Sequence, residues 1–396
     1  MIIIGDEKMK RLKRLDIVLL VVSIILFIIG TIMIFSSSNV SFYMRYGNSP
    51  YHYLFRQIFI LFLGAILSGV IFFFNVNFSS KVAYYGNYIV FVLLLLLFGF
   101  GKVSNDAQSW FGIGEFTLQP SEFLKVTTIM YLANYFTSKK YNPKSYVRLF
   151  FPALAICIAS FVAIAAQPDL GTAIIYAMIV FFMFVLSPVD KGIKKKLITW
   201  IGGFAVLGCL LLFVAGKTVF TERQMSRITS VISTKSPCSE ELYYTEGNQV
   251  CNGYIAINNG GLKGRGLTNS IQKYLYLPEA HTDFIYCIIV EELGLWFGLV
   301  LLGLYMLLLS RIIKIGRKSL NNRDALFCYG SAFYIFIHIM VNLCGILGLI
   351  PMTGVPLPFM SYGGSYTFCL IAVLTVVQRI NVETNANLSH SIGNKK

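Results

Sequence analysis

Charge is what this chain of 396 residues has least of: 13% are Asp, Glu, Lys or Arg, against about a quarter in soluble domains. That scarcity excludes a water-soluble globule as the main architecture. Acidic residues are the scarcer sign, 18 against 33 basic ones, for a formal net charge of +15. Of the histidines His52, His281, His338 and His390, only His281 stands among other polar motif residues. Metal-ligand spacings, a phosphate-binding P-loop and a dinucleotide fingerprint are all missing, which argues against ATP-driven action. Outside the loops there is no basic patch with interleaved aromatics, so nucleic acid is excluded as a partner.

What is there is apolar: 56% of the residues are hydrophobic. A membrane crossing needs about 20 such residues. Runs of that kind fall at 16–36, 54–74, 82–100, 119–137, 148–166, 170–187, 197–216, 284–310, 326–349 and 360–378. The expected fold is all-α: a polytopic membrane protein with ten transmembrane helices. A large extracellular loop, 217–283, joins helices 7 and 8. Residues 1–15 and 382–396 read as short cytoplasmic tails around a transmembrane domain at 16–381. The first run follows Lys8, Lys10, Arg11, Lys13 and Arg14 but lacks a small-x-small cleavage site, so it reads as a retained helix. Lys139, Lys140, Lys144 and Arg148 fall on the same side as Lys191, Lys194, Lys195 and Lys196. Arg311, Lys314, Arg317, Lys318 and Arg323 join them, as do Lys395 and Lys396. Short basic connectors stay inside, which places both termini in the cytoplasm.

The polar motifs then collect on the outer side. In LPEAHTDF at 277–284, Asp283 stands beside His281 and Glu279 at the head of an apolar run. A carboxylate there suits a general base for a sugar hydroxyl. It also suits a ligand of a divalent cation that bridges a pyrophosphate. Thr282 or Asp283 equally suits a helix N-cap, and the two roles are compatible. Glu291 and Glu292, two turns on, point to a polar pocket inside the membrane. GGLKGRGL at 260–267 supplies Lys263 and Arg265 on a glycine-rich turn whose backbone amides can cradle an anion. A plain mobile loop is the competing reading. QPSEFLK at 119–125 opens the fourth run with Pro120, Glu122 and Lys125. A lysine one turn into an apolar helix needs a carboxylate, an anionic ligand or a route to the interface. QPDLGT at 167–172 is a tight turn with Asp169, and LPFMSYGGS at 357–365 opens the last run with Ser361. Arg227 adds an outer cation. Six cysteines lie in apolar runs, whereas Cys238 and Cys251 share the outer loop, where a disulfide is permitted.

These stretches, in this order and on ten runs, closely resemble the SEDS family (shape, elongation, division and sporulation), the FtsW, RodA and SpoVE proteins of bacteria. The resemblance covers essentially the whole chain. It implies a peptidoglycan glycosyltransferase that polymerises lipid II, an undecaprenyl-pyrophosphate-linked disaccharide peptide, at the outer face of the plasma membrane. It also implies a class B penicillin-binding protein as partner, among other proteins of the division or elongation complex. Asp283 matches the family's essential acidic residue, and Lys125 its lysine of the fourth span. The run NSIQKYLYLPEAHTDF is more similar to the division and sporulation branch. Departures stand at Asn105–Ser109, where the family carries a glycine and basic residues, and at Thr268 and Tyr366.

The expected chemistry is an inverting glycosyl transfer with Asp283 as general base. Lys125, Lys263 and Arg265 stabilise the leaving pyrophosphate. Glu122, Glu279, His281, Asp169, Arg227 and Ser361 complete the substrate-binding set. No cofactor is required by the pattern, and a divalent cation, Mg²⁺ or Mn²⁺, is left open. A lipid II flippase and a non-catalytic scaffold are the alternatives.

Overall fold

The computed structural model describes residues 12–46, 49–73, 80–104, 107–113, 116–138, 146–188, 235–244, 247–278 and 280–393, with scattered positions between 192 and 233. Three helices come first: α1 (Ile17–Tyr46), α2 (His52–Phe73) and α3 (Ser80–Phe100). A small antiparallel sheet follows, made of β1 (Lys102–Ser104), β2 (Ala107–Ile113) and β3 (Phe116–Leu118) in that order. Then come α4 (Pro120–Thr137), α5 (Tyr146–Ala165), α6 (Leu170–Leu186), α7 (Glu240–Tyr243) and α8 (Asn248–Gly260). The chain ends with α9 (Ile285–Leu293), α10 (Leu295–Lys318), α11 (Asn322–Ile346) and α12 (Gly364–Gly393). Among the described residues, six helices are long and apolar enough to cross a membrane: α1, α2, α3, α10, α11 and α12.

Each expected run falls on helix except 197–216, of which only Ile198 and Thr199 are among the described residues. Three expectations need correcting. The fold is not purely α. The segment after α3 is too short and too interrupted for a helix, so its backbone groups pair across strands, Lys102 opposite Trp110 and Phe111 opposite Leu118.

The run 284–310 is not one crossing. It breaks at Gly294, whose φ is +84°, and α9 before the break spans only about 13 Å, under half a bilayer core. An added Cβ at Gly294 would sit 2.3 Å from the Leu262 carbonyl oxygen, so the glycine loop lies directly against the break. Gly294→Ala should therefore lower stability by about 1–3 kcal/mol, read as a lower melting temperature in detergent. An unchanged melting curve would contradict this packing.

The last helix does not stop at a tail. α12 continues to Gly393, because Asn381 and Asn385 donate to the Arg14 carbonyl and Arg14 donates to Ser389.

The apolar stretch of α12 is 83% buried and that of α2 only 17%, so α12 is central and α2 peripheral. α4 and α11 share the centre; Tyr131, Tyr334 and Leu124 are fully packed there. One end of the bundle is fastened by Asp16, which pairs with Arg311 of α10 and exchanges backbone bonds with Gln378 of α12. At the opposite end the heads of α4, α6 and α12 meet. The Gln119 backbone donates to Ser365 at 2.9 Å, and its side chain donates to Asp169 at 3.0 Å. The basic connector after α10 thus lies at the Asp16 end, far from the sequence motifs.

Candidate active site

Asp283 sits at this second end, half-buried, immediately before α9. The N-cap of α9 is Phe284, and no side chain caps it. The position of Asp283 is set through the backbone. Asn342 of α11 donates to the Asp283 carbonyl at 2.8 Å and to the Val355 carbonyl at 2.9 Å. Ser361 donates to the Thr282 carbonyl at 2.6 Å and accepts from the Leu357 amide at 2.8 Å. The Tyr362 amide donates to the His281 carbonyl at 3.0 Å. Residues 281–283 are thus stitched to the 355–362 segment, and Ser361 spends its hydroxyl on that seam. The His281 ring packs against Tyr53 at 4.5 Å and Tyr362 at 6.2 Å between centroids, two residues before Asp283.

The second group of charges is buried inside the bundle. Lys125, one turn into α4, places Nζ 2.7 Å from Glu122 and 3.1 Å from Nε2 of His338, and 5.9 Å over the Tyr334 ring. Glu122 is 3% exposed and Lys125 fully buried, so this lysine does not snorkel; it meets the carboxylate that an intramembrane cation requires. Asp169 caps α6 by accepting from the Thr172 amide, and its other oxygen accepts from Gln119.

One helix links the two groups. His338 and Asn342 are four residues apart on α11, about 6 Å along its axis. One meets Lys125 and the other meets Asp283. The chain between α11 and α12 closes the same gap from outside. A Cβ added at Gly171 would lie 2.6 Å from the Thr353 carbonyl oxygen, and one at Gly354 would lie 3.5 Å from Asp283 Oδ2. Lys125, Glu122, Asp169, His281, Asp283 and Ser361 therefore belong to one region. Neither His338 nor Asn342 was singled out from sequence; both lie in an apolar run, and their four-residue spacing was the only trace.

Lys263 and Arg265 lie elsewhere. Both are exposed, on the loop at the far end of α9, where the Arg265 amide donates to the Glu291 carbonyl. That places them about 12 Å from Asp283 along the α9 axis. The two glutamates at that end hold the loop. Glu291 accepts from Asn259, from Ser270 and from the amides of Ile271 and Gln272. Glu292 pairs with Lys273 at 3.1 Å and accepts from Ser36 of α1. The open groove beside this loop, about 470 Å³, is lined by Arg265, Thr268, Asn269, Ser270, Ile271 and Tyr274. Cys238 and Cys251 are joined as a disulfide, which ties the segment before α8 to its first turn. Arg227 and Glu279 lie outside the described residues. Among the described residues, no three His, Cys, Asp or Glu side chains come together as a metal cluster.

A helical, multi-pass membrane protein with a half-buried carboxylate at one end of its bundle, and a buried lysine–glutamate pair held by the same helix α11, is the class this structure defines. The chain belongs to the FtsW/RodA/SpoVE family, whose model, described as a cell cycle protein, matches residues 16–386. It is 35% identical over 379 residues to a Bacillus subtilis protein named probable peptidoglycan glycosyltransferase FtsW, covering 94% of this chain and 92% of that one. It is 35% identical over 364 residues to the stage V sporulation protein E of the same organism, covering 90% and 94%. Among solved structures, a chain from a peptidoglycan synthase complex that coordinates polymerization and crosslinking matches at a TM-score of 0.72 and 24% identity, covering 93% and 98%. The rod shape determining protein RodA of Thermus thermophilus matches at 0.65 and 23%, covering 93% and 96%. The structural matches show a shared fold, and the FtsW and SpoVE matches place the chain with the division and sporulation branch.

Proposed function

We propose that this chain is a peptidoglycan glycosyltransferase that polymerises lipid II at the outer face of the bacterial plasma membrane, with Asp283 as general base. The observation that carries the reading is the placement of Asp283. Its carbonyl is gripped by Asn342, and one turn away on the same helix His338 meets the buried Lys125–Glu122 pair. In the reaction, the Asp283 carboxylate takes the proton of the acceptor sugar hydroxyl. That oxygen bonds to the donor's anomeric carbon from the face opposite the leaving group. The bond from carbon to the pyrophosphate oxygen breaks, its electron pair leaves with the lipid pyrophosphate, and the configuration inverts. Charge grows on the departing oxygen, where a fixed cation is most useful. Lys125 supplies that cation. Lys263 and Arg265, on the loop at the far end of α9, draw the anionic substrate in from outside. A magnesium ion at Asp283 would need substrate phosphates to complete its shell, which is how that ion commonly binds.

In this reading the bundle makes ten crossings, with 197–216 as the seventh and both termini in the cytoplasm. The Asp16–Arg311 end faces the cytoplasm and the Asp283 end faces outward. A class B penicillin-binding protein crosslinks the product. The test is lipid II incubated with purified protein and that partner, with divalent cation supplied. Glycan chains that a muramidase digests are the expected result. Intact lipid II after full supplementation would overturn the assignment. Charges buried inside the spans also suit a lipid II transporter, and that reading predicts lipid transfer without polymer.

A further inference from the structure

His338 is buried in the middle of α11 and takes no part in the reaction as written above, yet it makes one of the two polar contacts of Lys125. The ammonium has three donors. One goes to Glu122 at 2.7 Å and one to His338 Nε2 at 3.1 Å. An ammonium only donates, so Nε2 is assigned as the acceptor of this contact, which puts the ring proton on Nδ1, a buried atom with no hydrogen-bond partner of its own among the described residues. The ring cannot swing away. It stacks on the Tyr366 ring at 4.6 Å between centroids with the planes 30° apart, and lies edge-on to Tyr334 at 4.9 Å. A lysine side chain has four rotatable bonds, so a single carboxylate three residues away leaves its ammonium free to swing. A second acceptor, carried on another helix and clamped between two aromatic rings, fixes the ammonium in two directions and leaves its third donor available.

We propose that His338 is a positioning residue for the glycosyl transfer: its Nε2 holds the Lys125 ammonium in place, so that the remaining N–H meets the pyrophosphate as charge develops on it. The same helix carries Asn342 one turn further on, where it fixes Asp283 through its carbonyl. α11 therefore sets the distance between the base and the cation that must act at opposite ends of one reacting bond. This inference rests on the glycosyltransferase reading and adds a residue to it.

Three variants test it, each assayed at a temperature well below its own melting temperature, since Lys125→Met leaves Glu122 buried without its partner. His338→Leu removes the acceptor at similar volume. His338→Gln keeps an acceptor oxygen near the place of Nε2. Lys125→Met removes the cation. In lipid II polymerisation with the partner protein, His338→Leu is expected to lose roughly 10²-fold in kcat with KM within about threefold of wild type, because the contact acts only when charge develops. His338→Gln is expected to recover most of that loss. His338→Leu combined with Lys125→Met is expected to be no slower than Lys125→Met alone, since both act through one group. Additive losses, or a glutamine variant as slow as the leucine one, would overturn the proposal. Should the leucine variant not fold, His338→Asn, whose shorter amide ends short of the ammonium, takes its place with the same expected loss.

Binding of undecaprenyl pyrophosphate provides a readout without turnover. Its affinity should fall by about the same factor for His338→Leu and Lys125→Met, and return with His338→Gln. If wild type makes no polymer, the glycosyltransferase reading fails, while the binding comparison still decides for or against His338.

Discussion

Asp283→Asn folds as wild type and loses about 10²–10⁴-fold in lipid II polymerisation, the range for removal of a general base. Asparagine matches aspartate in size, and the bond that fixes this position, from Asn342, goes to the backbone carbonyl and survives the change. The seam from Ser361 to Thr282 is also untouched. The melting temperature and the KM for lipid II should therefore stay near wild type while kcat collapses. Such a split separates a group that reacts from one that merely holds the loop. Its counterpart is Asn342→Leu, which removes the grip on both the Asp283 and Val355 carbonyls, and should lower the melting temperature and activity together. Near-normal polymerisation by Asp283→Asn would remove the carboxylate from the mechanism.

The largest effect on stability is expected at Lys273→Met. The Lys273 and Glu292 side chains are 1% and 0% exposed, so the glutamate left behind would be a buried charge with Ser36 as its remaining side-chain donor. Breaking such a pair costs about 3–5 kcal/mol, mostly through the uncompensated partner. The double change Lys273→Met with Glu292→Leu removes both charges and should restore much of the loss, as buried pairs replaced by apolar residues often do. Melting temperatures in one detergent distinguish the outcomes. A double variant as unstable as the sum of its parts would mean that the two residues stabilise the loop independently. The clasp also explains how an exposed loop rich in glycine keeps one shape. Glu291 and Glu292 carry it, and its glycines let it lie against the break at Gly294.

Much of this was legible in the sequence for a simple reason. Apolar runs report their own crossing, and Pro120, Glu122 and Lys125 or Asp169 and Thr172 interact within one helical turn, where spacing is informative. What was hidden depended on distant partners. Lys125 meets a histidine 213 positions away, and Ser36 meets a glutamate 256 positions away. No local pattern marks such pairs. Glu291 and Glu292 were legible as a polar pocket, but not as the clasp of a loop, because Gly294 inside a long apolar run gives no sign that the chain turns there. Lys273 passed unnoticed for a related reason: in a polar loop a lysine normally faces water, and this one is buried by a carboxylate from the next helix. Lys263 and Arg265, adjacent to the motif in sequence, end up at the far end of α9, because nine residues of helix separate them from Asp283.

The central claim, an enzyme acting at one face, is tested most directly in proteoliposomes that hold the chain and the class B partner proposed for it, with labelled lipid II in both leaflets. Polymer and transbilayer transfer are then read from the same vesicles. The account predicts glycan chains formed only on the side that exposes the Asp283 end, at a rate set by Asp283, and no transfer above that of protein-free vesicles. Transfer of lipid II without polymer, unaffected by Asp283→Asn, would contradict it.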